Sequence, residues 1–195
     1  MLYKLLEPYK IVLASASPRR EYLLKMLNIR FETQASQIIE KANGEAVEKQ
    51  AISHALHKAQ SVAQLRPDAD IIIGADTIVH LDGELLGKPD SVEKAREYLR
   101  RLSGNTHEVI TGICLYHLGK AYSASERSVV TFALLSEAEI QAYIATGEPM
   151  DKAGAYGIQG HGSQFIRGIQ GCYFNVMGFP IHRFYTLCRS TIKEL

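Results

Sequence analysis

The chain has 195 residues, 46% of them hydrophobic and 22% charged, the profile of an ordinary globular protein long enough to bury a sizeable core. Lysine and arginine total 22 against 21 acidic residues, a formal charge of +1, so no global field draws it to nucleic acid or to an anionic membrane. Any phosphate binding must therefore be local.

Three widely spaced cysteines, Cys114, Cys172 and Cys188, have neither CxxC nor Cys/His metal spacing, and a reducing, cytoplasmic location is the simpler expectation. The apolar run Ile11 to Ala14 is too short for a signal segment, and nothing approaches the roughly 18 apolar residues of a membrane span. The expectation is one domain over residues 1–195.

In chain order, Ile11 to Ala14 reads as a short buried strand. Ser17 then suits a helix N-cap and Pro18 the first helical position of a helix running to about Leu27. Phe31 to Ile39 looks extended, and a second helix is expected from about Glu45 to Leu65. On it Ala51, Ala55, Lys58 and Val62 share one face, so the Lys58 ammonium points inward or to a rim.

Asp70 to Ala75 reads as a strand ending at Asp76-Thr77, which sets Asp76 at a strand's carboxyl end, where ligands gather in α/β sheets. Asp82-Gly83 is a hairpin turn signal between Ile78 to Leu81 and Glu84 to Leu86. Ser91 opens a helix that Gly104 stops. His107 to Tyr116 and Tyr122 to Leu134 read as paired strands joined at Gly119-Lys120. Ser136 and Glu139 form a capping box for a helix closed by Gly147 and Pro149. A glycine-rich, extended-looking stretch follows from Asp151 to Gly178, and a last helix runs from about Pro180 to Ile192.

Three stretches have the residue types for phosphate chemistry. LASASPRR, residues 13 to 20, offers hydroxyls, free amides at a helix N-terminus and two guanidinium groups. IIIGADTIV, residues 71 to 79, places a carboxylate after an apolar strand with small Gly74 and Ala75 beside it. DKAGAYGIQG, residues 151 to 160, surrounds Gln159 and Tyr156 with glycines and alanines that let a backbone approach a ligand. Each has a plain structural account when taken alone: a capped helix with solvated arginines, a turn-forming aspartate, a surface loop in which Asp151 pairs with Lys152. Gly87-Lys88-Pro89 is not a Walker motif, because proline follows the lysine and no helix begins there.

Together and in this order the three stretches resemble the Maf family of nucleotide pyrophosphatases, over nearly the whole chain. The resemblance implies an α/β fold, a twisted mixed sheet flanked by helices with two lobes and a central cleft, like that of inosine triphosphatases. It implies hydrolysis of a nucleoside triphosphate to the monophosphate and pyrophosphate with a divalent cation, Mg²⁺ or Mn²⁺, held by Glu40 and Asp76. By the same resemblance Asp76, Glu40, Lys58 and Lys88 match the catalytic set. Ser15, Arg19, Arg20, Thr77 and Gln159 match the substrate-binding positions. Arg19, Thr77 and Gln159 are similar to the branch acting on dTTP and UTP. The 7-methyl-GTP branch typically carries tryptophan in place of Arg19, and this chain has none.

Two departures from the pattern stand out: His57 where relatives often carry glutamate, and Ile39 where an acidic residue is frequent. Family members are often homodimers, so the expected partners are a nucleoside triphosphate and a second copy, with no nucleic acid and no membrane. The alternatives are a 7-methyl-GTP pyrophosphatase or a nucleotide-binding regulator of division and septum formation.

Overall fold

The computed structural model describes residues 1–38 and 45–192. Its elements, in chain order, are α1 (Leu2–Leu6), β1 (Ile11–Leu13), α2 (Pro18–Met26), β2 (Glu32–Thr33), α3 (Val47–Leu65), β3 (Ile71–Leu81), β4 (Glu84–Leu86), α4 (Val92–Leu102), β5 (Thr106–His117), β6 (Lys120–Phe132), α5 (Glu137–Ala145), β7 (Ile166–Gln170), α6 (Tyr173–Val176) and α7 (Ile181–Thr191). Three short 3₁₀ segments, Glu148–Asp151, Ala153–Ala155 and Gly160–Phe165, lie between α5 and β7.

The strands form one mixed seven-stranded sheet in the order β2-β1-β3-β5-β6-β7, with β4 also paired to β3. Pairing is parallel between β1 and β2 and between β1 and β3, and antiparallel between β3 and β4 and between β6 and β7. With the helices that flank it, this is the expected α/β class. The chain divides into two compact units: Met1–Asp76, Thr111–Glu126 and Gly178–Leu195 make the first, Thr77–Ile110 and Arg127–Met177 the second.

In the first unit, β1 is buried along its whole length, and α3 packs its small residues against the strands. Val12, Ala14, Ala55, Ala59, Val62, Ile72 and Cys114 form one apolar cluster. The approach is close because two strand positions lack a side chain. A Cβ added to Gly74 would run into the backbone carbonyl of Ala55, and one at Gly112 into that of Ala51. Glycine is required here for space, since neither position has the positive φ that would otherwise call for it. The α1 helix packs against α7, whose Phe184 meets Phe179 with ring centroids 5.0 Å apart.

In the second unit, α4 turns Ala95, Tyr98, Leu99 and Leu102 inward, and Ser91 caps it by accepting from the Lys94 amide at 3.1 Å. The expected capping box of Ser136 and Glu139 opens α5. The Asp82-Gly83 turn takes φ of 50° and 82°, as a tight hairpin requires. The core is partly aromatic: Phe132 meets Tyr156 edge-on at 4.8 Å, and Tyr143 meets Phe165 at 5.1 Å.

Four expectations need correction. The strand through Asp76 does not end there, because β3 runs on to Leu81. Its early residues pair with β1, its late residues Val79 to Leu81 pair with β4, and so a second ladder partner sustains the strand. Phe31 to Ile39 holds only the two-residue β2 among its described residues. The stretch from Asp151 to Gly178 is not extended throughout. Glycines at positive φ, among them Gly154 and Gly160, break it into 3₁₀ turns before β7. Ser17 stands at the N-cap of α2 but makes no side-chain capping bond; its own amide donates to the Ser15 hydroxyl instead.

Two measurements test this packing. Gly112→Ala should destabilise the protein by about 1–3 kcal/mol, read as a lower urea midpoint, because the obstacle is helix backbone rather than a movable side chain. The second concerns His107, which is 2% exposed, its Nε2 2.7 Å from the Tyr156 hydroxyl and its Nδ1 without a partner among the described residues. Burial pushes its pKa down to about 4 from 6.5. The unfolded chain therefore binds the extra proton between these values, so stability is fully present above pH 6.5 and is lost as pH falls toward 4. The loss from pH 7 to pH 5 should be about 2 kcal/mol in urea unfolding. His107→Gln, which cannot titrate, should flatten that slope.

Candidate active site

The first unit gathers four of the expected residues with one that was not expected. Asp76 lies on β3 three residues beyond Ile73, the last position paired with β1, and its side chain is only 5% exposed. An anion so far from water needs partners, and α3 supplies them. The Lys58 ammonium donates to Oδ1 at 2.6 Å and lies 3.5 Å from the carbonyl oxygen of Ala75. The Nδ1 of His54, one helical turn earlier, lies 2.9 Å from Oδ2.

Burial alone would raise the Asp76 pKa. The His54 hydrogen bond, the charge and hydrogen bond of Lys58, and the charge of Arg20 outweigh it and hold the carboxyl well below the usual carboxylate range. Asp76 is a permanent anion at any physiological pH. The inward lysine expected on the α3 face is therefore present, and its use is to neutralise this carboxylate.

The turn after β1 is knit by its own side chains. The Ser15 hydroxyl accepts from the Ser17 amide at 3.1 Å and from Arg20 Nη1 at 3.1 Å. Arg20 Nε donates to the carbonyl of Gly178 at 2.8 Å, and the whole residue is buried. Arg20 thus braces the turn from within while adding positive charge near Asp76. Arg19 is half-buried at the first turn of α2.

Glu40 lies outside the described residues. Thr77, Lys88 and Gln159 belong to the second unit. Thr77 is half-buried on β3, Lys88 is exposed on the loop after β4, and Gln159 is exposed immediately before the 3₁₀ segment Gly160–Phe165.

The Gln159 loop has a fixed geometry that the glycine content alone did not reveal. The Glu148 carboxylate accepts from the Tyr143 hydroxyl at 2.9 Å, from the His161 amide at 2.8 Å and from the Gly162 amide at 3.1 Å. The Tyr143 hydroxyl also accepts from the Gly157 amide at 3.1 Å. The segment Gly157 to Gly162 is thereby clasped at both ends. Gly160 takes a φ of 74°, which favours glycine, and a Cβ there would come within 2.6 Å of Glu148 Oε2 and displace the clasping carboxylate. The surface pairing of Asp151 with Lys152 is present at 2.5 Å.

Two side chains that shape these regions were missed from sequence. His54 interrupts an alanine stripe, but its spacing of four from Lys58 was a usable signal. Glu148 follows a glycine at a helix end, where an acidic residue reads as solvated.

The donor chemistry suits a hard cation. Each Asp76 oxygen accepts one of the bonds above, while a carboxylate offers about four lone-pair sites and this one stays ionised, as Mg²⁺ or Mn²⁺ coordination requires. No cluster of three or more His, Cys, Asp or Glu occurs among the described residues. Asp76 would therefore share such an ion with substrate oxygens or with residues outside that set.

The chain matches the family model described as Maf-like protein over residues 10–191. A dTTP/UTP pyrophosphatase of Bacillus cereus (strain AH187) is 47% identical over 175 residues, 89% of this chain and 91% of the relative. One from Phocaeicola vulgatus is 48% identical over 184 residues, 93% and 95% of the two chains. Among solved structures, the Staphylococcus aureus Ham1 protein aligns with 64% of this chain and 72% of its own at 15% identity and a TM-score of 0.43, too distant to carry an argument.

The buried pair predicts a coupling. Lys58→Met should cost about 3 kcal/mol by leaving Asp76 with less compensation. Asp76→Asn in the same chain should recover part of that loss, so a double-mutant cycle by denaturant unfolding should return a coupling of at least about 1 kcal/mol.

Proposed function

The chain belongs to the Maf-like protein family, and from that premise we propose that it hydrolyses dTTP and UTP to the monophosphate and pyrophosphate. The observation that carries this is the ionised Asp76, neutralised by Lys58 and close to the charge of Arg20 behind the Ser15 turn. Whole-length similarity to enzymes named for that reaction supports it.

A carboxylate held this far below its ordinary range is a weak base, poorly matched to taking a proton from water at neutral pH. Asp76 acts instead as a fixed anion that orients the attacking water and holds a divalent cation. That cation, when bound, neutralises charge on the triphosphate. Phosphoryl transfer depends chiefly on positioning and charge neutralisation. Ser15, Arg19 and Lys88 grip the phosphates, Lys58 keeps Asp76 neutralised, and Arg20 holds the turn. Glu40 is the second carboxylate for the metal.

Gln159 reads the base, because its amide both donates and accepts, as the O4 and N3–H of thymine or uracil demand. The Glu148 clasp keeps the loop that carries it in one shape. In this reading the enzyme is cytoplasmic and homodimeric. Its cysteines are all free, and no described helix is long and apolar enough to cross a membrane.

Pyrophosphate release over dTTP, UTP, CTP, ATP, GTP and 7-methyl-GTP should favour the first two. It should stop on chelation and return with Mg²⁺ or Mn²⁺. A preference for 7-methyl-GTP, or no release at all, refutes the proposal. Asp76→Asn should lower kcat by about 10³-fold with the fold retained. Gln159→Glu should reduce discrimination between UTP and CTP by about 10-fold.

A further inference from the structure

His54 is buried on α3 among Gln50, Ala51, Ala55, Ala59 and Val62, where a leucine would pack without the cost of desolvating an imidazole. Its Nδ1 is 2.9 Å from Asp76 Oδ2. Carboxylate oxygens accept, so across this contact the imidazole Nδ1–H is the donor.

We infer that His54 is a positioning residue for catalysis, acting through Asp76; this rests on the role of Asp76 given above. The terminal torsion of an aspartate is soft and broad, and a single donor on one oxygen leaves the carboxylate plane free to swing. Here Lys58 holds Oδ1 and His54 holds Oδ2, from successive turns of one helix. That helix is pressed onto the strands at Gly74 and Gly112, so the two donors arrive as a rigid pair. The division of labour is chemical: Lys58 supplies neutralising charge, and His54 sets the direction of the remaining lone pairs, toward which water and cation are drawn. Partners of this kind orient a ligating group without touching the substrate.

The test compares His54→Leu, His54→Asn and Asp76→Asn in steady-state dTTP hydrolysis, together with histidine ¹⁵N shifts of the unmutated protein. His54→Leu should lower kcat by about 10–100-fold with KM little changed, since orientation acts on the transition state rather than on binding. His54→Asn, whose amide nitrogen reaches the place of Nδ1, should recover most of the loss, a rescue that a purely packing role would not give. The ¹⁵N spectrum should show a protonated Nδ1 on His54 without any substrate present.

Wild-type kcat in His54→Leu, or an equal loss in His54→Asn and His54→Leu, overturns the inference while leaving an inactive Asp76→Asn to uphold the role of Asp76. Full turnover in Asp76→Asn overturns that role and the inference with it. An Nδ1 without its proton overturns the inference even if the leucine variant fails to fold.

Discussion

A carboxylate almost wholly withdrawn from water cannot stand alone, and the organisation of the first unit follows from that constraint on Asp76. The cost of burying the charge is met by two donors, and both come from α3. For α3 to deliver them, its backbone must lie close to the strands, which is why alanines stand at Ala51, Ala55 and Ala59 and why Gly74 and Gly112 have no side chains. Sequence features that look unrelated, an alanine-rich helix, two strand glycines, a lysine and a histidine four residues apart, are parts of one solution. Acid weakens both units, in different ranges: Asp76, held well below the usual carboxylate range, loses its contribution only as pH falls below that range, whereas His107, buried neutral in the second unit, loses its contribution from pH 6.5 downward.

Where local physics is strong, the sequence was legible. Periodicity located α3 to within two residues of its start, turn chemistry located the Asp82-Gly83 hairpin, and the Ser136 and Glu139 pair formed the capping box it spelled. The inward Lys58 followed from the face it shares with small residues. What local pattern could not supply was partner identity. The strand leading to Asp76 was expected to end at Asp76-Thr77, with Ile78 to Leu81 a separate arm of the hairpin. It continues because a different strand takes over the ladder, a tertiary fact. His54 went unnoticed for the same reason, since the acceptor that justifies it lies 22 residues away.

The glycine-rich stretch makes the opposite point. Its composition correctly announced a backbone free of side-chain obstruction, yet gave no shape. The shape comes from Glu148, which gathers amides from His161 and Gly162 and steadies Tyr143. Rigidity in that loop is thus imposed from one carboxylate at its edge, and the glycines are what permit the carboxylate to come so near.

The two units interleave along the chain: the second is complete once Met177 has been made, whereas the first still lacks its closing stretch from Gly178 onward. On the ribosome the order of completion is consequently reversed relative to the order of the first residues. α1 emerges first but must wait for α7, the helix it packs against, whose Phe184 and Cys188 are buried in the finished unit. Throughout that interval the apolar faces of the earliest segments are incompletely covered, which makes the nascent chain, rather than the finished enzyme, the form most in need of chaperone protection.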